Sequence, residues 1–202
     1  MTSRRTPYGD SVFINCPFDD EYEPIFRAVV LTVTLCGFVP RSTLEHDDAS
    51  QVRIEKIYRL IGSSALGIHD VSRTELDAEN QLPRFNMPLE LGVFLGAKRF
   101  GAGRHHSKRC LILDRERYRF QKFISDIAGQ DIKAHGNNPE TVIRVVRDWL
   151  RNAVGHGSMP GGSHLWARFQ KFTKGLADMC ARVELTSEHL TFTDFYQLVL
   201  VS

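Results

Sequence analysis

Apolar residues along the chain switch repeatedly between two spacings, and each switch marks a new element. Residues 11–16 (SVFINC) are short, β-rich and almost continuously apolar before Pro17 stops them, the pattern of a strand buried on both faces of a parallel sheet. From residue 21 to 36, Ile25, Ala28, Val29, Val33 and Cys36 recur at helical spacing, and Gly37 follows where a helix end wants left-handed backbone. Residues 38–41 form a second strand. After the polar loop STLEHDDAS, Ser50 is positioned to cap a helix carrying Ile54, Ile57, Tyr58 and Ile61 on one face. Residues 65–70 (ALGIHD) read as a third strand. The polar stretch 71–86 behind it is long for a loop inside a compact domain, and such loops tend to carry function.

The next helix starts with Asn86 as its cap and Pro88 in its first turn, and ends before Gly101. A fourth strand at 109–113, a short helix within 124–131, a weak fifth strand at 131–134 and the helix Pro139–Val154 complete the alternation. Strands alternating with helices predict an α/β fold: a doubly wound, five-stranded parallel sheet in the flavodoxin-like order 2-1-3-4-5, spanning residues 11–154. Residues 1–10 read as a flexible tail. Residues 155–163 (GHGSMPGGS), with four glycines and a proline, read as a linker, and 164–202 as a C-terminal helical extension. That extension carries the stripe Leu165, Phe169, Phe172, Leu176 and the cluster Phe192, Phe195, Tyr196, Leu198. Two uses for these residues stand side by side: cover for the sheet, or an assembly contact with a second copy or a regulatory protein partner.

Composition narrows the class. A chain of 202 residues builds one good core, and its 42% hydrophobic and 25% charged residues are those of an ordinary globular protein. No run approaches the roughly 20 apolar residues of a membrane span, and no apolar segment follows Arg4 and Arg5, so neither an anchor nor a secretory signal is expected and a cytoplasmic location is. A net charge of +2 lends direct nucleic-acid binding no support, since that needs a clustered basic face. Cys16, Cys36, Cys110 and Cys180 show no metal-ligand spacing and read as small buried thiols. No metal and no cofactor is predicted.

In an open parallel sheet, ligands bind outside the carboxyl ends of the strands where strand order reverses. Asn15, Pro17, Phe18 and Asp19 follow the first strand, and Asp70, Ser72 and Arg73 follow the third; Arg84 and Asn86 lie just ahead of the helix that presents Glu90. The positive end of that helix is expected to keep Glu90 ionised, as suits a nucleophile or the stabilisation of a sugar cation, with Asp70 as the second carboxylate of a glycosidic site. The plain alternative is that Glu90 only complements the helix dipole and Asp70 only ends a strand. His69 is expected to pack inside. The set His105, His106, Lys108, Arg109 reads as a phosphate-binding patch or a solvated loop, and the acidic loop Glu45, His46, Asp47, Asp48 as a gate or a solvated turn. A receiver-like Mg²⁺ pocket of Asp19, Asp20 and Asp70 is a lesser alternative.

The segments VFINCPFDDEY, HDVSR and above all MPLELGVFLGA resemble the nucleoside 2-deoxyribosyltransferases and their relatives, the TIR domains. The resemblance covers roughly residues 11–150. It implies that Glu90, in Glu90-Leu91-Gly92, is the nucleophile on the sugar C1′, and that the substrate is NAD, a nucleotide or a nucleoside. It also implies, more loosely, an effector of a bacterial antiviral system that is held inactive until a partner or an assembly completes the site. Asn15, Cys16, Pro17 and Phe18 stand where the family has a glycine- and tyrosine-bearing loop, and the stretch 74–86 has no counterpart. A non-catalytic nucleotide-sensing or scaffold module of the same fold remains the rival reading.

Overall fold

The structure is a computed structural model that describes residues 7–45, 48, 50–76, 81–155 and 158–202. Five strands, β1 (Ser11–Asn15), β2 (Val39–Arg41), β3 (Leu66–Asp70), β4 (Arg109–Asp114) and β5 (Lys133–Ala134), pair in parallel in the order β2-β1-β3-β4-β5. The interleaved helices are α1 (Glu23–Leu35), α2 (Arg53–Ser63), α3 (Asn86–Phe100) and α4 (Pro139–Val154), followed by α5 (Gly162–Ala181) and α6 (Phe192–Leu200). The α/β doubly wound sheet expected from the periodicity is present, with helices at the C-terminal end.

Strand alternation sorts the core into two faces. Val12 and Ile14 of β1 and Leu66 and Ile68 of β3 point into the larger core, with α1, α4, α5 and α6. Phe13 points the other way, onto Ile57, Leu60 and Ile61 of α2 and Phe94 of α3. Gly67 shares this second face, and no side chain fits there: a Cβ would lie 2.7 Å from Phe94 Cε2. Gly37 closes α1 with φ +87° while Phe38 N–H donates to Val33 O, a left-handed helix end that only glycine adopts without strain.

Local chemistry places other boundaries. Pro40 is accepted in β2 because that strand is an edge. Asn138 caps α4 by accepting from the backbone of Glu140 and Thr141, and Thr191 and Asp194 form a capping box on α6.

Several expectations need correction. Ser50 does not cap α2; the helix begins after Val52, while the Ser50 hydroxyl bonds Asp48. Asn86 is the first residue of α3 rather than its cap, and its side chain makes no capping bond. The tail is shorter than residues 1–10, because residues 8–10 form a turn and Ala65 N–H donates to Tyr8 O; residues 1–6 lie outside the described residues. The linker is shorter too: Gly155 ends α4 in the left-handed region and α5 already starts at Gly162, with His156 and Gly157 outside the described residues. The stretch 124–131 holds only a three-residue 3-10 turn, so β5 shrinks to two residues.

The extension does not stand apart. Leu165, Phe169, Phe172, Leu176, Phe192, Phe195 and Leu198 are all buried, in the same core as β1, β3, α1 and α4. Of the two uses open to these residues, cover for the sheet is the one they serve in this chain. No helix among the described residues is long and apolar enough to cross a membrane.

Candidate functional site

The site is built where β1 and β3 end side by side. Their parallel register sets Asn15 beside His69, both on the face covered by α3. One Asn15 Nδ2 hydrogen meets His69 Nδ1 at 3.0 Å and the other is donated to Met87 O at 2.9 Å. The first turn of α3 is thereby pinned to the sheet, and Glu90 follows on the same turn of chain. Asn15 is buried and its donors are spent on this joint, so it positions α3 rather than presenting a donor to a ligand. His69 packs inside as expected, wedged between the rings of Phe13 and Phe94. Burial and, next, Lys108 hold its pKa down at about 3, so it is neutral, and its Nε2 has no hydrogen-bond partner among the described residues.

Glu90 is 5% exposed and accepts no hydrogen bond from the described residues. Burial pushes its pKa up to about 7, against the pull of Arg53 at the start of α2. The expectation that the helix dipole keeps it ionised is therefore corrected. A dipole at a helix end contributes only about 0.3–1 kcal/mol, and Glu90, fifth in α3, stands beyond the unpaired amides. Desolvation of the carboxylate outweighs that contribution.

Asp70 is placed differently. It alternates to the opposite face from His69, is fully buried, and accepts from four donors. Tyr22 Oη lies 2.6 Å from Oδ2 and His135 Nε2 3.0 Å from it; Ser72 N–H reaches Oδ1 at 2.8 Å, and the Ser72 hydroxyl donates to the same oxygen. Burial raises its pKa, but these bonds, His135 first, more than reverse that and hold it below the ordinary carboxylate range. The structure does not bring Asp70 to Glu90, which lies on the α3 face. The two carboxylates expected to share one glycosidic site are separated by the pleat of β3.

Ser72, His135 and Asp70 have the residue types of a nucleophile triad, yet the connectivity is wrong for one. His135 Nε2 faces both Ser72 Oγ, at 2.9 Å, and Asp70, while Nδ1 accepts from Asn137 N–H at 3.1 Å. A triad needs the serine on one ring nitrogen and the carboxylate on the other. With Ser72 and His135 each 1% exposed, the cluster is a polar latch joining α1, β3 and the end of β5. Asp19 accepts from Tyr22 N–H and Arg73 instead of joining Asp70, so the receiver-like pocket is not assembled. Among the described residues, no three His, Cys, Asp or Glu side chains come together as a metal site.

Around this buried floor lie two clefts. One, of about 540 Å³, is lined by Asp19, Asp20, Glu21, Arg73 and Arg84. Arg73 bridges the strand ends by pairing with Asp19 at 3.2 Å and with Glu21. The second, of about 160 Å³, has Pro17, Phe18 and Asp19 on one wall and residues of α1 and α6 on the others. Of the expected ligand residues, Asp19, Arg73 and Arg84 thus share a cleft, Pro17 and Phe18 line its neighbour, Asn86 is exposed at the start of α3, and Ser72 is committed to the latch. The buried Cys16 thiol has its pKa pushed well up, by burial first and then by the charges of Asp70, Glu90 and Asp19.

The chain matches no protein-family model, no curated protein and no solved structure.

Sequence reasoning missed Tyr22 and His135, which complete the latch, and Arg119. The Arg119 guanidinium bonds Asp114 and, at 2.6 Å, Val71 O, tying the segment after β3 to the end of β4. His135 follows the weakest strand and carried no periodic signal. Lys108, expected in a phosphate patch, is 1% exposed and donates to Ile61 O and Ser64 O at the end of α2. Glu45 closes its turn by pairing with Arg41 and accepting from Ser42 N–H, and His46 and Asp47 lie outside the described residues.

Proposed function

We propose that the protein cleaves, or transfers across, the N-glycosidic bond of NAD, a nucleotide or a nucleoside, with Glu90 meeting the sugar. One observation carries this reading: a buried carboxyl without a hydrogen-bond partner among the described residues, on the first turns of α3, beside the carboxyl ends of β1 and β3. An isolated buried carboxyl is costly to the fold, and perturbed groups of this kind concentrate at functional sites. The resemblance of MPLELGVFLGA to the deoxyribosyltransferases and TIR domains supports the same residue.

In the ionised form, a Glu90 oxygen attacks C1′ while the C1′–N bond breaks and its electron pair leaves with the base. Water or an acceptor base then attacks C1′ and frees the carboxylate. Asp70 is locked in the latch and is not poised to protonate the departing base. This favours a substrate whose base leaves as a neutral molecule without an acid, as nicotinamide leaves NAD. The rival reading, a nucleotide-sensing module, has its own support, since a carboxyl protonated below about 7 can donate to a ribose hydroxyl without chemistry.

The two readings separate by pH. Purified protein is incubated with NAD, nucleotides and deoxynucleosides, and released base is read by chromatography. A nucleophilic Glu90 makes the rate rise with pH and level off above about 7, and Glu90→Gln lowers it by more than about 10³-fold. Turnover at the wild-type level in the Gln variant sinks the nucleophile. Nucleotide binding with no base release at any pH replaces the enzyme with the sensing module.

A further inference from the structure

We propose that the pocket between α1, the loop after β1 and α6 is a second ligand site, which takes a single aromatic ring bearing positive charge, such as a protonated or N-alkylated nitrogen heterocycle. The site does not depend on Glu90 acting as a nucleophile. Shape, ring faces and charge coincide there.

The pocket holds about 160 Å³, room for one ring and not for a dinucleotide. Four phenylalanines, Phe18, Phe26, Phe192 and Phe195, line it. Phe18, on the loop, meets Phe26 of α1 edge to face at 5.6 Å between centroids, and Phe26 lies 6.0 Å from Phe192 of α6. Phe18 remains 42% exposed, so part of its ring is open to a ligand at the mouth of the pocket. Aromatic faces carry negative charge density and attract cations. The fold already uses this wall that way, since the Arg27 guanidinium lies 5.5 Å from the centroid of Phe195, another lining residue.

The charges at the mouth favour the same ligand. Asp19, Asp20 and Glu23 face one cation, Arg27. Glu23 and Arg27 are paired at 2.5 Å, and Asp19 is held by Arg73 and the backbone of Tyr22. Among the described residues Asp20 makes neither an ion pair nor a side-chain hydrogen bond, which leaves one carboxylate unspent at an aromatic mouth. An anionic ligand would meet that charge with its only arginine already engaged. The C-terminal extension therefore supplies a wall of a site as well as cover for the sheet.

The test is an NMR titration of the full-length, ¹⁵N-labelled chain with 1-methylpyridinium, using benzyl alcohol as a neutral ring of similar size. Saturable shifts confined to the loop after β1, the start of α1 and the start of α6 are expected, with a dissociation constant on the order of 1 mM for so small a probe. Benzyl alcohol should bind at least about fivefold more weakly, and Phe18→Ala and Asp20→Asn should each weaken 1-methylpyridinium by about fivefold. Both residues are exposed on a loop, and the spectra of the variants report directly that the fold is intact. No saturable shift at this pocket, equal affinity for the neutral ring, or unchanged binding in both variants overturns the proposal.

Discussion

Glu90 shows how far one side chain's behaviour depends on what surrounds it. On an isolated helix, a glutamate near the positive end is an ordinary anion; buried in the folded chain it loses its water and its pKa climbs to about 7. The consequence for stability has a definite sign. The unfolded chain releases this proton near 4.5 and the folded one near 7, so between those values the native state binds more protons and stability falls as pH rises. Above about 7 the ionised carboxylate lowers stability by up to roughly 3 kcal/mol, because a tenfold change in proton affinity is worth about 1.4 kcal/mol. Glu90→Gln removes that cost. Urea unfolding at about pH 8 should show the Gln variant more stable than the parent, with the difference shrinking toward about pH 5. A Gln variant less stable at the higher pH would mean that the ionised carboxylate has partners of its own.

Among the elements, the joint between α3 and the sheet matters most, because it sets where Glu90 stands. It depends on a single amide: Asn15 Nδ2 holds Met87 O with one hydrogen and His69 with the other. Asn15→Ala removes both bonds and leaves the buried His69 Nδ1 unpaired, a loss of about 1–3 kcal/mol for that group, while Met87 O keeps the backbone bond of its own helix. Hydrogen exchange should then quicken in the first turns of α3, while α4, capped by Asn138 and packed on the other face, keeps its protection. Equal loosening of α3 and α4 would show that Asn15 supports the whole sheet instead of this joint. The Asp70 latch is a comparable device one pleat away, joining α1, β3 and β5 through Tyr22, Ser72 and His135. The two joints together explain why the third strand ends in His69 and Asp70: one side chain serves each face.

At the scale of the molecule, the helices after Gly155 belong to the core. Cutting the chain there would strip Leu165, Phe169, Phe172 and Leu176 of α5 and Phe192, Phe195 and Leu198 of α6 from a single cluster that includes Val12, Ile14 and much of α1. Losing seven buried side chains at about 1.5–3 kcal/mol each removes roughly 10–21 kcal/mol, as much as the whole 5–15 kcal/mol by which a domain is usually stable. A chain ending at residue 154 should therefore lose its cooperative thermal transition in calorimetry. Retention of a sharp transition near that of the full chain would restore the extension to the status of a separate module.

What the sequence determined by itself is local, or set by a periodic pattern. The doubly wound order and the span of α4 follow from apolar period, caps and breakers, signals carried within a few residues of the element they shape. Glu90, Asp19, Arg73 and Arg84 were legible as residues at strand and helix ends, because the fold class alone fixes which ends form a crevice. Their protonation and pairing were not. Whether Asp70 meets Glu90 depends on the parity of a position within β3, and whether Glu90 is ionised depends on how completely the folded chain takes it out of water. His135 reaches Asp70 from 65 positions away, and Lys108 ends inside the protein beneath α2, through contacts that no periodicity encodes. Only the tertiary structure decides such matters, because burial and hydrogen bonding are properties of neighbours in space, and the chain brings those neighbours together only once the sheet has closed.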